Sequence, residues 1–414
     1  MWKLSSVCGM LFGKGGDAMS TTSKKTIFNR YFILLFLTSV CFCTATEMNN
    51  VVLPLYITED LGGTAATMGV LTSIYTATSA LSRPVNGILT DRHRRRTVML
   101  IGCVLYAAGI FFCGLVPVLA AAFLARAVQG IGYSAASTAN MAASNDVIPH
   151  EHLNEGVGYF GISQTLPSLF APLLATTLIT IVGNRATQFF IGGACVIATV
   201  VSLFVNYEKK GLYAAQRHEQ DDSDKGAFVE PTAIPSSLLE FGSLFFTTSI
   251  MVFIPLFFAA QELSNGLLGA YLTTTGVAIL VFRTLLSRFV GKVNPLVLLI
   301  PAWLCGIAEC LLLPLCRTML ACIGMGILFG AAHGVVWMVN GSLAVNRAPI
   351  HRRGAANGTF YLAFDAAVCI AATVWGVCID AVGYASTYRI AACGYAVMLI
   401  IAIFVYRKWK PANE

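Results

Sequence analysis

The segment Gly87-Ile88-Leu89-Thr90-Asp91-Arg92-His93-Arg94-Arg95-Arg96 is a knot of charge between two stretches almost free of it. On one side, residues 65–90 have Arg83 as their one charged side chain, and on the other, residues 97–115 have none. About 20 apolar residues in a helix cross a hydrocarbon core of roughly 30 Å, so each flank is long enough to span a bilayer and the charged knot is the turn between two crossings.

The same alternation runs through the whole chain. Of 414 residues 57% are hydrophobic and 11% charged, where a soluble domain carries about 25% charge. That deficit excludes an ordinary soluble protein. Twelve apolar runs are predicted as spans, at 31–57, 65–90, 97–115, 117–143, 153–180, 186–206, 236–260, 265–290, 295–316, 318–346, 352–381 and 385–406, with minimal turns at Val116-Pro117 and Cys316-Arg317. With both ends on one side of the membrane, 21 of the 27 Lys and Arg fall on that side, three on the other, and Arg83, Arg126 and Arg283 within spans. Basic loops mark the cytoplasmic face, so the net charge of +7 reads as topology and not as affinity for nucleic acid.

The expected fold is therefore an all-α polytopic membrane protein of twelve transmembrane helices in two pseudo-symmetric six-helix bundles. The expected divisions are an N-terminal extension over 1–30, a first bundle over 31–206, a cytoplasmic linker over 207–235, a second bundle over 236–406 and a tail over 407–414. Met19 precedes a polar, basic lead-in, so residues 1–18 are read as an upstream extension without structure. The linker carries the acidic group Glu219, Asp221, Asp222 and Asp224. A constant offset of 200 relates the halves: Gly69 and Arg83 recur as Gly269 and Arg283, Gly130 and Asn140 as Gly330 and Asn340, Gly158 and Phe160 as Gly358 and Phe360. Two duplicated bundles of this size frame a path that opens alternately to the two sides of the membrane.

Thirteen cysteines show neither zinc-ligand spacing nor a disulfide framework and are read as small apolar packers. Gly13-Lys14-Gly15-Gly16 lacks the spacing of a phosphate-binding loop. No catalytic residue, metal site or cofactor is expected.

The loop after the second span, with Arg83-Pro84 before it, resembles the signature loop of the major facilitator superfamily, and Arg126-Ala127-Val128-Gln129-Gly130-Ile131-Gly132 is similar to that family's Arg-x-x-Gln-Gly-x-Gly motif. Arg94 stands where the family loop usually has Gly, and the glycine-rich exporter signature of span five is reduced to Gly158, Gly161, Pro167 and Ala171-Pro172. The resemblance implies a gate made by Arg83, Gly87, Asp91, Arg92, Arg95 and Arg96, with Asp91 facing the start of span eleven near Arg353-Gly354.

Charge inside a bilayer is costly unless it borders a cavity or a partner, which singles out Glu47, Arg126, Glu309 and Asp365. Arg126, Gln129, Tyr133 and Asn140 share a side of span four, and His333, Trp337 and Asn340 hold the matching positions on span ten. Helix packing through small residues is the competing reading of these stripes. Glu47 and Arg126 both lie about 5 Å from the midplane and are expected to pair, with Asn50 one turn further along; a substrate group that displaces Arg126 would then favour proton uptake by Glu47. Asp365, with Tyr361 one turn earlier, is the alternative proton carrier if it is unpaired, and a structural role, capping a polar contact in the second bundle, is the competing reading. Glu309 is expected to make a contact between helices.

The function expected is proton-coupled efflux of an amphipathic compound, with proton-coupled uptake of a polar or anionic nutrient as the alternative. A sensor that keeps the fold but does not transport is the reading from another class. The expected partners are a small-molecule solute, protons and the lipid bilayer. The chain is expected to work as a monomer in the cytoplasmic inner membrane, with both termini in the cytoplasm.

Overall fold

Polar side chains at the helix starts set where each crossing begins. The side chain of Asn29 accepts a hydrogen bond from the Phe32 amide, Thr64 and Thr67 cap one another reciprocally, and Ser264, Asn294 and Thr318 accept amide hydrogens at later starts. These caps satisfy donors that have no partner within the helix. In the computed structural model, which describes residues 27–149, 152–207, 229–349 and 352–407, the helices of the first half are α1 (Arg30–Leu55, prolonged by a π turn at Tyr56–Asp60), α2 (Ala65–Arg92), α3 (Arg95–Leu115), α4 (Leu119–Val147), α5 (Leu153–Thr165) and α6 (Pro167–Leu203). The second half contains α7 (Ile234–Met251), α8 (Ile254–Ala260), α9 (Asn265–Leu286), α10 (Pro295–Leu312), α11 (Met319–Asn346) and α12 (Arg353–Tyr406).

Among the described residues there is no strand, as lipid demands of a chain that must bond every backbone amide locally. Eight helical stretches are long and apolar enough to cross a membrane. α2 and α4, of 28 and 29 residues, are about 42 Å long but carry Arg83 and Asp91, and Arg126, Gln129 and Asn140, respectively. Two of the long stretches bend sharply. α6 contains Gly183 at φ 82° and α12 contains Gly383 at φ 76°, a region of backbone space that glycine enters without a Cβ clash.

The offset of 200 holds in three dimensions. α2 and α9 start at 65 and 265, α3 and α10 at 95 and 295, α4 and α11 at 119 and 319, α5 and α12 at 153 and 353, and the bends fall at 183 and 383. The halves meet where α2 packs on α12 and α6 on α9. Small residues permit this: a Cβ on Gly376 would lie 2.6 Å from the carbonyl oxygen of Ala65, and one on Gly276 2.6 Å from that of Ser168. Residues 1–26 of the extension, 208–228 of the linker and 408–414 of the tail lie outside the described residues, while the last part of the expected linker is described and holds a 3-10 turn at Pro231–Ala233 and the start of α7 at Ile234.

Glu309 makes the contact between helices expected of it. The Tyr271 hydroxyl of α9 donates to its Oε1 at 2.6 Å, and Glu309 is 1% exposed. Tyr271→Phe leaves that carboxyl without its donor, and the expected result is a loss of about 1–3 kcal/mol of stability, seen as a lower melting temperature of the purified protein in detergent.

Candidate functional site

Between the halves lies a cavity of about 460 Å³. α1 contributes Glu47 and Asn50, α4 contributes Arg126 and Tyr133, α11 contributes His333 and α12 contributes Asp365. These are six of the residues expected along the substrate path, and Tyr133 and His333 are related by the offset of 200. Thr72, Tyr75, Thr76 and Ser79 of α2 and Thr275 of α9 are further polar residues of the wall, as are Asn49 and Arg83. Short hydroxyl side chains spaced along a helix carry no signal that separates a cavity from ordinary packing, which is why sequence reading passed over them.

The expected contact between Glu47 and Arg126 is absent. No ion pair joins them among the described residues. Arg126 instead donates from Nη1 to Gln129 Oε1 at 3.0 Å on its own helix, and its guanidinium lies 4.1 Å from the centre of the Tyr75 ring, a cation–π arrangement that holds the charge without neutralising it. Gln129 also accepts from Asn49 Nδ2 at 3.4 Å. It thus sits behind the wall and positions Arg126 without lining the cavity. Arg126 is 3% exposed, and its Nε has no hydrogen-bond partner among the described residues.

Asp365 is paired, and its partner belongs to the first half and not to the second bundle. Its Oδ2 lies 3.2 Å from Arg83 Nε, an ion pair that bridges α2 and α12 and therefore the two halves. A partner so distant in the chain cannot be read from helix periodicity. Of the remaining expected path residues, Asn140, Trp337, Asn340 and Tyr361 do not line the cavity. Asn340 donates to Glu240 Oε2 at 3.1 Å, Trp337 lies 4.3 Å beneath the Arg283 guanidinium, Tyr361 packs against Phe360 and Phe364, and Asn140 is 7% exposed. Glu240, 1% exposed, was not singled out by the sequence reading, and its place five residues into a predicted span does not by itself mark it as buried.

One face of the molecule is sealed. Both carboxylate oxygens of Asp380 accept the amides that begin α2, from Ala65 at 3.2 Å and Ala66 at 3.0 Å, and a carboxylate at a helix N-terminus is also favoured by the helix dipole. Ser73 and Thr373 meet at 2.7 Å, and Asn265 donates to Thr180 at 3.2 Å. Toward the opposite, basic face, no hydrogen bond or ion pair crosses between the halves beyond Arg83 and Asp365 among the described residues. A side chain begun at Gly87, Gly158 or Gly358 would meet nothing within 4 Å. The contacts that close the cavity on one side of the molecule have no counterpart on its basic side among the described residues, apart from the pair of Arg83 and Asp365.

Arg95 and Arg96 of the loop make contacts within the first half. Arg95 Nη1 lies 2.7 Å from Asp146 Oδ1 and also bonds the carbonyl of Ala142, while Asp146 Oδ2 accepts from Tyr207 at 2.8 Å. Arg96 bonds Asn206 and, at 2.5 Å, the carbonyl of Leu203. Arg92 is exposed. The side chains of Asp91 and Arg353 lie outside the described residues, so the expected contact of Asp91 with the last long helix does too. In the second half Arg352 pairs with Glu230 at 2.9 Å, and the Glu230 amide donates to Thr359 at 2.9 Å.

Comparison with known proteins accords with this geometry. The family model described as Major Facilitator Superfamily matches residues 35–231 and 236–414. The chain is 25% identical over 398 residues to a Staphylopine export protein of Staphylococcus aureus, covering 92% of this chain and 96% of that one. It is 28% identical over 166 residues to Multidrug resistance protein 3 of Bacillus subtilis, covering 39% of this chain and 31% of that one. Its fold is similar to a crystal structure of a POT family transporter in complex with 5-aminolevulinic acid, at TM-score 0.74 and 15% identity over 93% of this chain and 98% of that one. A crystal structure of the nucleoside transporter NupG matches at TM-score 0.73 and 13% identity, over 92% and 100% of the two chains.

Proposed function

Because the chain belongs to the major facilitator superfamily, we propose that it exports a small amphipathic organic solute by alternating access and that protons are the coupling ion. The observation that carries this reading is a cavity between two halves of matching register that holds the carboxyls of Glu47 and Asp365 and the Arg126 guanidinium, which has no ion-pair partner among the described residues, and that is sealed toward one face. In this reading the ten long helical stretches make twelve crossings, each of the two bent at glycine crossing twice. The basic face is cytoplasmic, both termini are cytoplasmic, and the protein works as a monomer. The full-length likeness to a protein named for staphylopine export, and the shorter likeness to one named for multidrug resistance, support efflux. It is a transporter and not an enzyme.

In this reading the cavity faces the cytoplasm, in the arrangement that loads an exported solute. The solute enters from the basic face, meets Arg126 and Glu47, and leaves after the contacts around Asp380 and Ser73 part and the basic-face ends of α2, α5, α9 and α12 close. Only a differential affinity of solute and proton for the two arrangements can drive that exchange. Glu47 and Asp365 are the cavity carboxyls able to take up and release protons, and Asp365 must part from Arg83 to do so freely.

Uptake of an anionic solute is the second reading, favoured by the lack of an ion-pair partner for Arg126 among the described residues. Transport of a metabolite and drug panel into proteoliposomes under pH gradients of either sign separates the two: for efflux, solute moves opposite to protons, and for uptake it moves with them. Glu47→Gln is expected to abolish proton-driven accumulation and its pH dependence while leaving solute counterflow measurable. Undiminished proton drive in that variant would remove Glu47 from the mechanism.

A further inference from the structure

The turn from α10 to α11 brings two thiols together. The Sγ atoms of Cys316 and Cys322 are 3.3 Å apart, and the residues are 2% and 0% exposed. Cys316 follows the short 3-10 turn Leu313–Leu315, and Cys322 lies in the first turn of α11, where its amide bonds the carbonyl of Thr318 at 2.9 Å. Packing alone does not require sulfur here. The offset of 200 maps the pair onto Val116 and Ala122, and the first half closes the same turn with those two residues. In the second half both positions are cysteine, and the chain path points their side chains at each other. Arg317 between them reaches Gln261 on the neighbouring turn of the same face.

We propose that Cys316 and Cys322 form an intramolecular disulfide that ties the end of α10 to the start of α11. The proposal rests on the orientation given above, which places this turn on the non-cytoplasmic side, where disulfides persist. A thiolate of one cysteine attacks a disulfide-bearing oxidoreductase on that side, and the second cysteine displaces the reduced donor from the mixed disulfide. One S–S bond forms here, one breaks in the donor, and the two thiol hydrogens end on the donor's sulfurs. The exchange takes place as the turn folds, before the pair is buried.

The chain provides its own assay, because trypsin cuts after Arg317 and so separates the two cysteines unless they are bonded. Membranes denatured in excess alkylating reagent without reductant are expected to yield the two peptides linked, and to yield them separately only after reduction. Cys316→Ser with Cys322→Ser is expected to melt lower than the parent, and reductant is expected to lower the parent to the same value while leaving the variant unchanged. Recovery of both cysteines alkylated, or a melting temperature indifferent to reductant, overturns the cross-link. Orientation is scored separately by labelling intact cells carrying Glu262→Cys, on the same exposed face, with a membrane-impermeant maleimide. Labelling with free Cys316 and Cys322 refutes the cross-link alone. Linked peptides without labelling support the cross-link and refute the orientation. Free cysteines without labelling refute both.

Discussion

Arg126→Leu is expected to lower transport by about two orders of magnitude while the protein still folds and inserts. The magnitude follows from the site. A charge-assisted hydrogen bond to a buried group is worth about 1.5–3 kcal/mol, and each 1.4 kcal/mol is roughly a factor of ten. Arg126 is 3% exposed, is held by Gln129 and by the face of Tyr75, and keeps its Nε free among the described residues. Lysine retains the charge but not the planar fork or the stacking, so Arg126→Lys is expected to recover only part of the loss. Initial rates in proteoliposomes, beside the elution profile of each purified variant, check the result. Normal rates in Arg126→Leu would place solute binding elsewhere in the cavity.

Gly376→Val is expected to slow transport about tenfold or more by a different route. Its new Cβ would fall 2.6 Å from the carbonyl oxygen of Ala65 and 2.9 Å from the Cα of Ala66, backbone atoms that cannot swing aside as a side chain can. Overpacking of this kind costs about 1–3 kcal/mol, and the cost is borne by the arrangement in which α2 and α12 touch at the sealed face. The populations therefore move toward the arrangement in which that face parts. Labelling of Ser73→Cys from the sealed side is expected to rise in the Gly376→Val background as solute flux falls. Gly193→Ala, at a position with nothing within 4 Å, is the control and is expected to change neither.

The crossings and their duplication were legible because both are written as one-dimensional periods. Span length follows from bilayer thickness, and the shared register of Gly69 with Gly269 and Gly130 with Gly330 needs no coordinates. The same logic brought Glu47, Arg126, Tyr133, His333 and Asp365 to the cavity wall. It failed where azimuth decided the outcome. Depth placed Glu47 level with Arg126, but Gln129, one turn along α4, takes the guanidinium instead. Arg83 was read with the gate of the loop, but its partner across the halves, Asp365, was not foreseen. Asn340 shared a stripe with His333, yet it turns to Glu240 inside the second half. A helical wheel gives a residue's face, and the neighbour that meets that face comes from packing far along the chain.

The coincidence of helix starts at 65 and 265, 95 and 295, 119 and 319, and 153 and 353 also bears on how this chain tolerates change. Between those points the two halves differ in most side chains but not in the number of residues that separates the helix starts. Adding one residue inside a helix turns everything beyond it by about 100°, which would swing Arg126 from the cavity toward acyl chains. Point substitution can therefore reshape what is carried, whereas a change in residue number has to be absorbed in the turns.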